Sequence, residues 1–429
     1  MTEAPRLIAA LCLLLGLSAA GCTPGGPSSD PVQPSDITSE VGVSGKEISL
    51  GELSPLTGPA SAIGLPLTRG HEVYFHYLNE VLGGIGRNLD EGDRFQVRLV
   101  TKNTNYTESG HIEAYNDIKD EVLMIAQSFG TATTKAILKQ VNDDKILLAP
   151  ASLSSEWLPE KYLITAGAPY PAQFVNAAQY LEDQDSEVKA GIIYQDDAYG
   201  EEGVKGLELA AREFDFEIVA RSTFQPTDTN LGGQVTEMKN AGATQVFLTT
   251  IPAQTRSILS AGAQAQYAPR WIGQSPSWTG SLLQSPEVTY MEQTVWVVTD
   301  ASCGWGDTGS GCEGMQEMLE NIQKFAPDQQ PDYYFSFGYA QAKIVHEVLE
   351  KGVESGDLSR DGLVSAFEGI EGVDMGGLLN PISFGPDCED RIPVTASTIW
   401  RFDPAAPVGL AVEKDAIDSA AVEKLDFCR

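Results

Sequence analysis

Short apolar runs alternate along this chain with longer segments whose apolar positions recur at helical spacing. Ile48-Ser49-Leu50-Gly51-Glu52-Leu53 reads as a strand, followed by the loop Ser54-Pro55-Leu56-Thr57-Gly58-Pro59. Ile63, Leu67, Gly70, Tyr74, Tyr77 and Val81 then repeat every three or four residues, which predicts a helix ending at Gly83-Gly84. The same reading predicts strands over 95–100, 122–125 and 146–149, with helices over 109–119 and 131–141 between them. A second unit of this kind follows. It has a crossing strand over 162–166, a helix over 172–181 and the strand Ala190-Gly191-Ile192-Ile193-Tyr194. A helix then carries Val204, Leu207, Ala211 and Phe214 on one face. Further strands are predicted over 216–220, Val246-Phe247-Leu248 and Trp271-Ile272-Gly273, with a helix around Val235 and Met238. Residues 295–298 read as a strand returning to the first unit, 333–349 as a helix of that unit, and Thr398-Ile399-Trp400 as a third crossing.

Repeated β-α alternation implies an α/β fold of two doubly wound, mostly parallel sheets. The expected lobes are residues 46–166 with 300–385, and 167–299 with 386–429, joined by a hinge of several strands. Ligands of open α/β sheets sit beyond the carboxyl ends of the strands, and two facing lobes close by hinge motion. One junction stands out. Ile125-Ala126-Gln127-Ser128-Phe129-Gly130-Thr131-Ala132-Thr133-Thr134 reads as a buried strand end, a Gly-containing loop and a first helical turn. Unpaired N–H groups and the helix dipole favour a carboxylate there. The plainer reading is a hydroxyl N-cap. Other edges of the same cleft bring in Ser54 and Thr57, Ala151 and Ser152, residues 196–199 with Tyr199, Thr250, and residues 274–278 with Ser275 and Trp278.

Charge narrows the partners. The 429 residues carry 60 Asp and Glu against 28 Lys and Arg, a formal net charge of -32. Such a surface repels nucleic acid. At the N-terminus, Arg6 precedes an apolar run over 7–17 and then Ser18-Ala19-Ala20-Gly21-Cys22. This is the pattern of a secretory signal peptide over 1–21. Small residues before a cysteine resemble a bacterial lipobox, so Cys22 is expected to carry lipid and hold the protein on a membrane surface. Residues 23–45 are rich in Pro, Gly, Ser and Asp and read as a flexible tether. Cys303, Cys312, Cys388 and Cys428 remain, an even number in an exported chain, which implies disulfides. Cys303–Cys312 would close a Gly-rich loop and Cys388–Cys428 would pin the tail; the other pairings stay open. No histidine lies near them in sequence, so no metal is expected.

Several segments together resemble the solute-binding lipoproteins of bacterial ABC importers, in the family of the leucine/isoleucine/valine-binding proteins. They are Leu53-Ser54-Pro55-Leu56-Thr57-Gly58-Pro59, Leu78-Asn79-Glu80-Val81-Leu82-Gly83-Gly84-Ile85, Ala198-Tyr199-Gly200-Glu201-Glu202-Gly203, and Lys239-Asn240-Ala241-Gly242 within 234–247. The resemblance spans residues 46–405. It implies a type I periplasmic binding protein, a clam-shell that closes on a small polar solute, needs no cofactor and presents its cargo to an ABC permease. It further implies that Gly130, Thr131 and Thr133 hold a ligand carboxylate, that the Ala151 carbonyl receives an amine, and that Tyr199 covers the ligand. The chain departs from the pattern at two places. Leu153 stands where a threonine is usual. Gln274-Ser275-Pro276-Ser277-Trp278 stands where amino-acid binders carry an acid, so Asp196 or Asp197 would have to replace it. Trp278 would either stack on the ligand or pack in the core.

An exported α/β hydrolase is the rival class, but the chain has no Gly-x-Ser-x-Gly elbow. Its four histidines, His71, His76, His111 and His346, fall on predicted helices rather than at strand ends. A tethered sensor with the same lobes is the third reading. A monomer is the simplest expectation for a clam-shell receptor.

Overall fold

The computed structural model describes residues 37–184, 186–303 and 311–428. Cys22, the apolar segment before it and the tether as far as residue 36 lie outside them. The strands in chain order are β1 (Thr38–Ser39), β2 (Val43–Ser44), β3 (Glu47–Ser54), β4 (Gln96–Asn103), β5 (Met124–Phe129), β6 (Leu148–Ala151), β7 (Lys189–Gln195), β8 (Glu217–Phe224), β9 (Gln245–Thr249), β10 (Arg270–Gln274), β11 (Val295–Asp300), β12 (Asp357–Leu358), β13 (Ser397–Phe402) and β14 (Leu410–Ile417). The α-helices are α1 (Ser61–Tyr77), α2 (Glu108–Ile118), α3 (Thr131–Asp144), α4 (Tyr170–Glu182), α5 (Ala198–Glu213), α6 (Gly232–Ala241), α7 (Pro252–Gln264), α8 (Val288–Thr294), α9 (Glu313–Phe325), α10 (Tyr333–Ser355) and α11 (Arg360–Phe367).

Two α/β lobes result. In the first sheet β3 pairs in parallel with β4 and β5, and β5 with β6, while β2 folds back antiparallel on β3. The second sheet runs β14-β13-β11-β10-β9-β7-β8, parallel from β8 through β11 and antiparallel where β13 and β14 join. This corrects one expectation. The strand over 295–298 does not return to the first sheet, because β11 pairs with β10 on one side and β13 on the other. Thr398-Ile399-Trp400 accordingly lies in that same sheet. The crossing strand over 162–166 reduces to one bridge between Leu163 and Leu148. β14 left no periodic signal, since most of its residues are exposed at a sheet edge.

Helix α1 continues into a π-helical turn over Leu78–Leu82 before Gly83 adopts a left-handed conformation. The wider turn rotates the following side chains off the apolar face, so Val81 is 49 % exposed although its spacing matched the stripe. Against α1 lies α10, and the two helices cross where neither has a side chain. A Cβ on Gly70 would stand 2.3 Å from the Phe335 carbonyl, and one on Gly338 would stand 2.1 Å from that of Leu67. This close crossing brings Leu67 of α1 beside the aromatic start of α10. Disulfides join Cys303 to Cys312 and Cys388 to Cys428, the second anchoring the C-terminal segment.

Candidate functional site

A cavity opens between the strand ends of the two lobes. Gly130, Thr131, Ala151 and Ser152 line it from the first lobe, with Tyr199, Ile251, Ser275 and Pro276 from elements of the second. Tyr333, Tyr334 and Phe337 of α10 form one wall together with Ile63 and Leu67 of α1, and Tyr106, Phe129, Leu153 and Tyr170 complete it.

The polar end is the start of α3. Gly130 occupies the N-cap position with φ 93° and has no side chain with which to cap the helix. The Gly130 carbonyl takes the Thr134 N–H at 3.1 Å, so the N–H groups of Thr131, Ala132 and Thr133 precede the helix's own ladder. A residue with a Cβ at position 130 would meet the Thr133 hydroxyl at 2.6 Å and the Tyr106 ring at 2.9 Å. Glycine is therefore needed for both the turn and the approach. Beside it the Thr131 and Ser152 hydroxyls share a hydrogen bond of 2.6 Å, and Trp157 donates its indole N–H to Ser152 at 3.4 Å.

The tyrosines turn their hydroxyls to protein partners. Tyr199 donates to the Thr250 carbonyl at 3.2 Å, Tyr333 to Asp300 at 2.5 Å, and Tyr334 to the carbonyls of Ser275 and Trp278. The Tyr106 hydroxyl accepts from the Gln195 amide at 3.0 Å, a bond that spans the cleft from the loop after β4 to the end of β7. Burial pushes the Tyr170 hydroxyl up to about 12 and those of Tyr199, Tyr333 and Tyr334 well above the ordinary phenol range.

Of the expected ligand residues, Gly130, Thr131, Ala151, Ser152, Tyr199 and Ser275 come together on this cavity. Five do not line it. Thr133 donates its hydroxyl back to the Phe129 carbonyl, one turn earlier on its own chain. Ser54 donates to the Gly64 carbonyl and accepts from Thr68 beneath α1. Thr57 is exposed and bonds Asn103 and Asn105. Thr250 shares its hydroxyl with Thr255 at 2.7 Å. Trp278 is 0 % exposed, packs against Phe402 and donates to the Val408 carbonyl, which makes it a core residue. Ser128 belongs to β5 rather than to a loop, and bonds His111 and Thr134. Neither Asp196 nor Asp197 lines the cavity. Asp197 caps α5 by accepting the N–H groups of Tyr199 and Gly200.

Tyr106 was legible in principle, since it follows a strand at the cleft edge. The aromatic start of α10 was not, because it reaches the cavity only through the crossing with α1.

Outside the cavity the cleft becomes acidic, with Glu108, Glu156, Asp196, Asp197, Glu201 and Glu202 around Lys135 and Lys205. Glu202 accepts the Ser155 N–H and hydroxyl across this groove. Behind the cavity, Glu52 and His71 are fully buried with their nearest atoms 3.3 Å apart. Burial raises Glu52 to about 8 and lowers His71 to about 4, so the two meet as neutral groups near pH 7. His71 also bonds the Gln341 side chain, which donates to the Pro150 carbonyl next to the cavity-lining Ala151. Among the described residues no group of three His, Cys, Asp or Glu side chains is arranged to hold a metal ion.

Residues 47–406 match the family model described as periplasmic binding protein. The Leu/Ile/Val-binding protein homolog 3 of Brucella melitensis is 22 % identical over 227 residues; the match covers 51 % of this chain and 60 % of that protein. Among solved structures, the fatty acid ABC transporter substrate-binding protein from Thermomonospora curvata superposes with TM-score 0.84 at 23 % identity, covering 92 % of this chain and 98 % of the other. A branched chain amino acid ABC transporter protein from Thermus thermophilus, solved with bound valine, gives 0.75 at 17 % identity, covering 90 % and 100 %. At these identities the superpositions establish the clam-shell fold. With the family model spanning nearly all of the folded chain, this protein belongs to the periplasmic binding protein family, whose members bind solutes rather than transform them.

Proposed function

We propose that this protein captures a small carboxylate- or amide-bearing solute in the cavity and delivers it to an ABC permease, held on the extracytoplasmic face of the cell membrane by lipid on Cys22. The observation that carries this reading is the start of α3 at Gly130, which has no side chain to cap it and lies on the cavity between the lobes. A bound carboxylate would serve as the missing cap for the N–H groups of Thr131 and its neighbours. Ser152, Ser275 and Tyr199 complete the pocket, and the Ala151 carbonyl offers a further acceptor at its edge. One structural relative is named for a fatty acid and another was solved with bound valine, and both solutes combine a carboxylate with an apolar body. Residues 46–166 with 300–385 and residues 167–299 with 386–429 would move as the two jaws. The bond between Tyr106 and Gln195 would form only when they close.

A melting panel of carboxylates, amides and amino acids tests the reading. A solute at 100 times its dissociation constant should add about 2.7 kcal/mol of stability. Thr131→Val should weaken that effect and Thr133→Val should not, because the Thr133 hydroxyl is bonded to Phe129. Equal affinity in the parent and in Thr131→Val would remove the anion site from α3.

A further inference from the structure

We infer that the solute of this cavity is a small carboxylate with a hydrocarbon body and no amino group. The inference rests on the reading that the cavity takes a carboxylate at the start of α3. Among the described residues, no Asp, Glu, Lys, Arg or His lines the cavity walls. The nearby acids are turned to other work. Asp300 accepts from Tyr333, whose ring stands on the cavity wall, and Asp197 caps α5. Asp332 caps α10 by accepting the Phe335 N–H at 2.8 Å, and Glu202 is held by Ser155. An ammonium entering here would lose its water and meet no anion, a loss that the neutral Ala151 carbonyl could not offset.

The remaining surface suits hydrocarbon. Four of the lining tyrosines have hydroxyls already bonded to protein atoms, so they offer the solute mainly ring surface. Ile63, Leu67, Leu153 and Ile251 fill the space between the rings. Aromatic rings alone could cage a methylated ammonium. The aliphatic side chains argue against one here, since they give a cation nothing in exchange for its hydration.

Calorimetric titration of the purified full chain decides the matter with matched pairs: 4-methylpentanoate against leucine, and 3-phenylpropanoate against phenylalanine, with trimethylglycine as the caged-cation probe. The carboxylates should bind tighter than their amino counterparts by at least about tenfold, the expected consequence of burying an ammonium unpaired. Amino acids binding as tightly, or trimethylglycine binding most tightly, would overturn the inference and leave the solute-binding reading standing. Binding by none of the five would overturn the inference and leave the amides of the melting panel to decide the solute-binding reading. Ser275→Asp places an anion in the wall and should reverse the preference within each pair. A variant that folds with the parent's circular dichroism and keeps the parent's preference would also overturn the inference.

Discussion

Two helices begin at the cleft from opposite lobes, and they begin differently. α5 follows Asp197, whose carboxylate accepts the N–H groups of Tyr199 at 2.9 Å and Gly200 at 3.2 Å. α3 follows Gly130, which has no side chain to offer. Both helices follow parallel strands, and both point their positive ends at the gap between the lobes. A side-chain cap is worth about 1 kcal/mol, so α3 forgoes stability that α5 keeps. The first helix start is answered from within the chain, while the second is left to be answered by something that enters. An acid in a loop after a strand is thus no sign of a ligand site, and a bare glycine in the matching position can be one.

The sharpest test of this contrast is Gly130→Ala. With φ at 93° and two atoms already inside 3 Å of the new Cβ, the change should cost about 1–3 kcal/mol in urea unfolding. It should also abolish solute-dependent stabilisation. Asp197→Ala should cost about 1 kcal/mol through the lost cap and leave solute affinity nearly unchanged. If it weakened binding as much as Gly130→Ala, the two helix starts would not have separate roles. Thr131→Val removes one hydroxyl bond, worth about 1 kcal/mol, which titration would read as roughly fivefold weaker binding.

The smallest expected effect lies behind the cavity. Glu52 is raised to about 8, mainly by burial, so its contribution is complete below an ordinary value of 4.5 and is lost as pH rises through 8. His71 is lowered to about 4, again by burial, so its contribution is present above 6.5 and is lost as pH falls through 4. Of these two groups, Glu52 is the one whose contribution slopes above pH 6.5. Melting curves of Glu52→Gln should therefore decline less than the parent between pH 6.5 and 8, and His71→Gln should retain the parent's decline there. An identical alkaline slope in the parent and in Glu52→Gln would mean that Glu52 is ionised in the folded state.

Much of the fold follows from local pattern. The α/β alternation and the helix start at Thr131 come from periodicity and from glycine placement, which are properties of neighbouring residues, whereas the strands expected over 122–125 and 146–149 run on to Phe129 and Ala151. A threonine in a first turn, such as Thr133, can bond outward or back to the preceding carbonyl, and spacing does not distinguish the two. Trp278 was ambiguous for a similar reason, as a large aromatic at a cleft edge can face either the cavity or the core.

The partner of β11 and the wall built by Tyr333, Tyr334 and Phe337 were decided by tertiary structure alone. Strand pairing depends on which edges meet, and the α1–α10 contact joins residues some 270 positions apart, as the bond between Tyr74 and His346 shows with a separation of 272. Periodicity reports which face of an element is buried. What that face is buried against depends on long-range packing, and no local pattern encodes it.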